Sequence, residues 1–235
     1  MKIKNPFSDF TKFELILWLT SVISITVSFI LSGATDYLTV ATSLIGVTAL
    51  IFIAKGYVIG QILIVVFSVF YGIISFYFRY YGEMITYLGM SAPAAIAAVV
   101  SWLKHPYKDT KEVEISQLTK KQIIIGTVST VMVTAAFYFI LEALGNANLL
   151  VSTFSVTTSF IAAYLTYFRS PYYAIGYAAN DLVLIILWVM ATIEDISQLP
   201  MTICFIMFFA NDIYGFISWK RIQKRQQPKQ KTQVI

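Results

Sequence analysis

The sequence is short of the side chains that most soluble chemistry needs. Its 235 residues include one histidine, His105, and one cysteine, Cys204, and only 12% of them are charged. A lone cysteine inside an apolar run excludes disulfides and cysteine metal clusters. A single histidine removes the usual catalytic and metal constellations, and no glycine-rich phosphate loop stands in for them. No catalytic residue, metal ligand or cofactor is therefore assigned, and the chain is not read as an enzyme. Soluble domains carry roughly a quarter charged residues, so that class is excluded too. What fills the chain instead is apolar: 58% hydrophobic residues and a mean hydropathy of +0.74.

The apolar residues gather into eight runs of about 18–23 residues, the helix length that crosses ~30 Å of hydrocarbon. The spans read 13–31, 37–54, 57–78, 84–103, 123–144, 149–168, 172–193 and 201–219. Pro171 and Pro200 stand just before the last two, where a missing N–H does little harm. Lys55, Arg79 and Arg169 close the second, third and sixth. The polar start lacks a cleavage site after the first run, so no cleavable signal peptide is expected. Only 104–122 forms a long polar loop. Alternating the spans puts sixteen of the 17 basic residues on the side of both termini, and Arg79 alone on the other. By the positive-inside rule both ends are cytoplasmic, in a multi-pass membrane protein. The net charge of +5 then reflects topology beside anionic lipid and needs no nucleic acid.

An internal repeat follows from two helix endings, Ser101-Trp102-Leu103-Lys104 and Ser218-Trp219-Lys220-Arg221. From Lys55 to Trp102 is 47 residues, and from Arg169 to Trp219 is 50. With one helix between them, the two triplets run in the same direction through the membrane, a transporter layout. The expected organisation is an N-terminal tail and extra helix (1–36), a first three-helix repeat (37–104), a loop and linker helix (105–148), a second repeat (149–221) and a basic tail (222–235). The two tryptophans, beside cations, read as interfacial belt residues. Pro93 reads as a kink and a possible hinge.

Polar groups inside a membrane are expensive and mark function or helix pairing. On the seventh helix Tyr173, Tyr177, Asn180, Leu184 and Trp188 fall within an arc of about 80°. The eighth carries Asn211, Asp212 and Tyr214. Asn180 and Asn211 both lie ~12–14 Å deep, near the midplane. Two Asn-Asp pairs at one depth suit a carboxamide or ribose hydroxyls, and nearby rings suit a flat, cationic heterocycle. Gln61 is a further candidate contact. The hydroxyls of Ser152, Thr153, Ser155, Thr157, Thr158 and Ser159 read as a packing face.

The segment from Asn180 to Gln226 resembles the C-terminal repeat of PnuC-type vitamin transporters. The ending Asn211-Asp212-x-Tyr214-Gly215-Phe216-x-x-Trp219-Lys220-Arg221 is particularly similar to Gram-positive members of that family. Tyr81-Gly82-Glu83 and Ser101-Trp102 resemble the first repeat in outline. The resemblance implies an all-α, SWEET-like 3+1+3 fold behind one additional helix, assembled as a homotrimer. It implies facilitated diffusion of nicotinamide riboside, a precursor for NAD biosynthesis, trapped by a cytoplasmic nicotinamide riboside kinase. Asn180 and Asn211 would bind carboxamide or ribose, and Trp188 would stack on the pyridinium. Tyr173 or Gly176 stands where family members often have Trp. Related carriers of thiamine, riboflavin or deoxynucleosides, and a proton-coupled mechanism through Asp181 or Asp212, remain alternatives.

Overall fold

The computed structural model describes residues 6–77, 81–146 and 148–227. Arg79, Lys2, Lys4, Lys229, Lys231 and the expected end of the third span at Phe78 lie outside the described residues. Eight helices are long and apolar enough to cross a membrane. They are α1 (Lys12–Ser32), α2 (Tyr37–Ala54), α3 (Val58–Tyr77), α4 (Tyr81–Lys104), α5 (Lys120–Ala143), α6 (Leu149–Tyr167), α7 (Tyr173–Glu194) and α8 (Leu199–Gln226). A 3-10 turn, Pro6–Asp9, precedes α1, and another, Ile196–Gln198, precedes α8. Both described termini lie at one end of the bundle with the long loop; this is the loop end, and the opposite one is the far end.

Local chemistry sets the ends. Thr11 and Thr119 open α1 and α5 with capping boxes closed by Glu14 and Gln122, each pairing two otherwise orphaned N–H groups. Asp36 caps α2. α8 does not stop at Trp219; it runs on to Gln226, carrying the first part of the basic cluster out of the apolar span. Pro93 follows a wide π-helical turn, Thr86–Ser91, in which the Ala92 N–H reaches back to Tyr87 O. That widened turn accommodates the carbonyls that a proline cannot serve.

The polarity of the helices is inverted relative to a soluble bundle. On α1 the buried residues are Glu14, Ser21, Ile25 and Ser28, while Phe13, Ile16, Ile23, Ile30 and Leu31 face outward. Lipid tails are as apolar as leucine, so polar groups turn inward to find partners. α5 packs on α6 and buries only Gly126 and Leu141.

α2, α3 and α4 pack together, as do α6, α7 and α8, and the two groups meet through α2 against α8 and α4 against α6. One pair of hydrogen bonds occurs twice across this junction. Ser101 Oγ donates to Tyr167 O (2.7 Å) and Trp102 Nε1 to Thr166 O (3.0 Å). Ser218 Oγ donates to Ala54 O (2.7 Å) and Trp219 Nε1 to Ile53 O (2.7 Å). Each group's last helix thus grips the end of the other's first helix, in the same register. The matching turn residues two positions on are Gly56 and Arg169, with φ of 70° and 57°. The structural equivalence therefore pairs Gly56, not Lys55, with Arg169. Trp102 and Trp219 are not belt residues: both are fully buried, their rings 5.3 Å apart. The reason is the two waiting carbonyls, which an indole N–H satisfies inside the protein.

The loop after α4 crosses this junction. Val113 N donates to Gly56 O and Ser116 N to Arg169 O, so it ties both equivalent turns. Arg169 also reaches Ser101 Oγ (2.9 Å) and Glu114 O (3.0 Å), contacts that hold a non-glycine residue at positive φ. Gln226 brackets Val113 and Ile115, and Arg225 pairs with Glu112.

Candidate functional site

A buried cavity of about 50 Å³ lies between the two three-helix groups, above the tryptophan junction. Its polar wall is Gln61 from α3, Asn180 and Asp181 from α7, and Asp212 from α8, with Ser68 and Ser159. Tyr87, Tyr173, Tyr177, Phe67 and Phe208 supply the rings. The geometry of α7 explains the choice. Tyr173, Tyr177, Asn180 and Leu184 repeat at three and four residues, and that stripe turns inward.

Asn180 is oriented by the hydroxyl-rich helix α6. Its Oδ1 accepts from Ser155 Oγ (3.1 Å) and Thr158 Oγ1 (3.0 Å), leaving the amide Nδ2 to donate toward the cavity. The hydroxyls of α6 are thus a packing face, and two of them also set the pose of a cavity side chain. Asp181 and Asp212 bring their carboxyl groups together across the α7–α8 contact. Among the described residues no cationic side chain pairs with either, and Asp181 Oδ2 and Ser68 Oγ are buried without a partner. A buried acid pair of this kind suits a positive charge supplied from outside the chain.

Both ends of the cavity are shut. Toward the loop end Tyr173 packs on Trp219, with ring centroids 4.7 Å apart. Toward the far end Tyr71 forms a plug, its ring 4.2 Å from Tyr87 and 5.9 Å from Phe205, while its hydroxyl accepts from Trp188 Nε1 at 3.0 Å. A polar cavity between two equivalent three-helix groups is a transporter layout.

The comparisons with known proteins agree. The model of the nicotinamide mononucleotide transporter family matches residues 36–221. The chain belongs to that family. Its members are transporters rather than enzymes. The chain is 25% identical over 228 residues to a nicotinamide riboside transporter PnuC of Neisseria mucosa, covering 94% of this chain and 86% of that protein. It is similar in fold to a crystal structure of the vitamin B3 transporter PnuC, with a TM-score of 0.81 and 24% identity over 94% of this chain and 96% of the other. The matched region begins at residue 36, so α1 lies outside the family's matched core.

Within this transporter fold the residues singled out from sequence divide. Gln61, Tyr173, Tyr177, Asn180 and Asp212 line the central cavity. Asn211, Tyr214 and Trp188 do not. Asn211 Nδ2 donates to Ser21 Oγ on α1 (3.1 Å) and to Met207 O (2.7 Å). Tyr214 donates to Glu14 Oε1 on α1 at 2.9 Å, beside the Glu14–Lys55 ion pair. Asn211 and Asp212 are neighbours in sequence and 100° apart on the helix, and here that turn sends Asn211 toward α1 while Asp212 faces the cavity. Of the two asparagines only Asn180 lines the cavity. Trp188 lies two turns beyond Asn180 and reaches the far side of the Tyr71 plug, too distant to stack in the central cavity. Tyr87, Ser68 and Phe208 were missed; they are single polar or aromatic residues in apolar helices, and no spacing marks them.

Proposed function

We propose that this chain carries nicotinamide riboside across the bacterial plasma membrane by facilitated diffusion, with both termini cytoplasmic. The observation that carries the reading is the acid pair Asp181–Asp212 beside Asn180 in one cavity between the two three-helix groups. A pyridinium nucleoside has a permanent positive charge for the pair and a carboxamide for Asn180 and Gln61. Tyr87, Tyr173 and Tyr177 offer ring faces to the cation. The same charge argument places thiamine, also cationic, as the nearest alternative cargo, ahead of riboflavin or a deoxynucleoside. Trapping by a cytoplasmic nicotinamide riboside kinase would pull a passive carrier toward import. The alternation of the spans, which puts sixteen of the 17 basic residues on the side of both termini, supports their cytoplasmic placement. The exposed apolar face of α5 supports assembly of copies, a homotrimer in this reading, with lipid covering the remainder.

Two measurements test this. Ligand bound only to the folded state adds about 2.7 kcal/mol of apparent stability at a hundredfold excess over Kd. Nicotinamide riboside should therefore raise the melting temperature of the purified protein, and Asp212→Asn should abolish most of that rise. Riboflavin or deoxynucleoside stabilisation without a response to nicotinamide riboside would refute the cargo. The facing acid pair also favours a second mechanism, in which a proton bridges the carboxyls when no cation is bound. Uptake into proteoliposomes decides it: equilibration to equal concentrations regardless of an imposed pH gradient fits the uniporter, and gradient-driven accumulation fits coupling.

A further inference from the structure

A second cavity, larger than the central one at about 280 Å³, opens at the far end between the start of α4, the α5–α6 turn and the last turns of α7. Its lining includes Tyr81, Glu83, Asn146, Ser152, Trp188 and Glu194. Two of these are carboxylates, and their situations differ. Glu194 is exposed at the rim. Glu83 is only 9% exposed, and its Oε2 is buried without a hydrogen-bond partner. Among the described residues no Lys, Arg or His pairs with it. The wall opposite is set by a close approach, since a Cβ at Gly82 would lie 2.5 Å from Asn146 Oδ1.

The position of Glu83 is as informative as its isolation. Tyr71 and Tyr87 stand between the two cavities, Tyr87 lining the central one and Tyr71 bonded to Trp188 of the outer one. Trp188 lines the outer cavity while its indole N–H holds the plug through Tyr71. Each cavity thus has carboxylates in its own lining, with this aromatic pair between the two. A carboxylate buried without a partner is unfavourable unless it takes up a proton or a positive group arrives. An organic cation with a flat ring meets both requirements here, since the charge faces Glu83 and the ring lies against Trp188.

We propose that Glu83 and Trp188 form an outer recognition site for cationic heteroaromatic solutes, one gate removed from the central cavity, with Glu194 attracting them to its mouth. The charge-matching part of the argument rests on the proposed pyridinium cargo; the site itself does not require that cargo to be transported. The probe is N-methylnicotinamide, a pyridinium without ribose, titrated calorimetrically into the purified full-length protein. The background is the double variant Asp181→Asn/Asp212→Asn, which removes the central charge. Binding should persist in that background and weaken about tenfold or more when Glu83→Gln is added. Neutral nicotinamide should bind equally with and without Glu83→Gln. In proteoliposomes Glu83→Gln alone should raise KM for nicotinamide riboside while largely sparing kcat. Loss of all cation binding in the central double variant, or binding indifferent to Glu83→Gln, would overturn the outer site. If the wild type fails to move nicotinamide riboside yet the calorimetric pattern holds, the cargo falls and the outer site stands. Glu83→Gln is isosteric, and a monodisperse profile on size-exclusion chromatography verifies that the comparison is between folded proteins.

Discussion

Replacing Trp219 with phenylalanine should loosen the loop end at one place and leave the mirror place intact. The indole N–H donates to Ile53 O at 2.7 Å, and that carbonyl also accepts from Gly56 N at 2.8 Å. It therefore keeps one partner after the substitution, so the loss is near the ~1 kcal/mol of an ordinary hydrogen bond and not the larger penalty of an orphaned group. The ring is fully buried against Trp102 and Tyr173, and trimming it to phenyl removes about 1–2 kcal/mol of packing. Together about 2–3 kcal/mol leaves the closed arrangement, which lowers the ratio of closed to open forms by roughly 30- to 150-fold if the open form lacks both contacts. Hydrogen–deuterium exchange reads this directly: amides of 50–58 should exchange faster in Trp219→Phe. In Trp102→Phe, whose indole bonds Thr166 O, the accelerated segment should be 163–171 instead. Because the two rings touch, the double variant should not be additive. Equal acceleration throughout the bundle, or none at either segment, would refute the crossed-grip reasoning.

Two further outcomes follow from the packing. Glu14→Gln breaks a pair in which Glu14 and Lys55 side chains are 4% and 12% exposed, leaving the Lys55 ammonium without its counter-charge; thermal unfolding should show a loss of about 2–4 kcal/mol, with most of it restored by adding Lys55→Met. In Gly46→Ala a new Cβ would lie 2.3 Å from the tip of Phe208, a ring that lines the central cavity and must shift to make room; nicotinamide riboside affinity should fall by tenfold or more, as measured by ligand-dependent thermal shift.

The N-terminal region shows how a helix added to a core is fastened. Phe7 and Phe10 pack on Phe52, Trp18 Nε1 donates to Thr48 Oγ1, and Lys111 pairs with Asp9. The Lys111 hydrogen bond holds the Asp9 carboxyl below the usual carboxylate range. Inside the bundle, α1 takes over Asn211 and Tyr214, two polar residues that look functional on α8 alone.

The number of membrane helices was legible in the sequence because the cost of placing charge in hydrocarbon dictates where apolar runs begin and end. The twofold Ser-Trp ending was visible as well, and so was the inward stripe from Tyr173 to Asn180, since helical spacing alone aligns it. Tertiary structure decided what faces what. It turned Asn211 toward α1 and Asp212 toward the cavity, although one peptide bond separates them. It buried both tryptophans against carbonyls more than sixty residues away in sequence. It moved Trp188 beyond the gate and brought Glu83 to the floor of a separate cavity. Hydropathy and spacing report the partition of each helix between lipid and protein; which neighbour a polar side chain meets depends on helix azimuth and packing, and no single span encodes those.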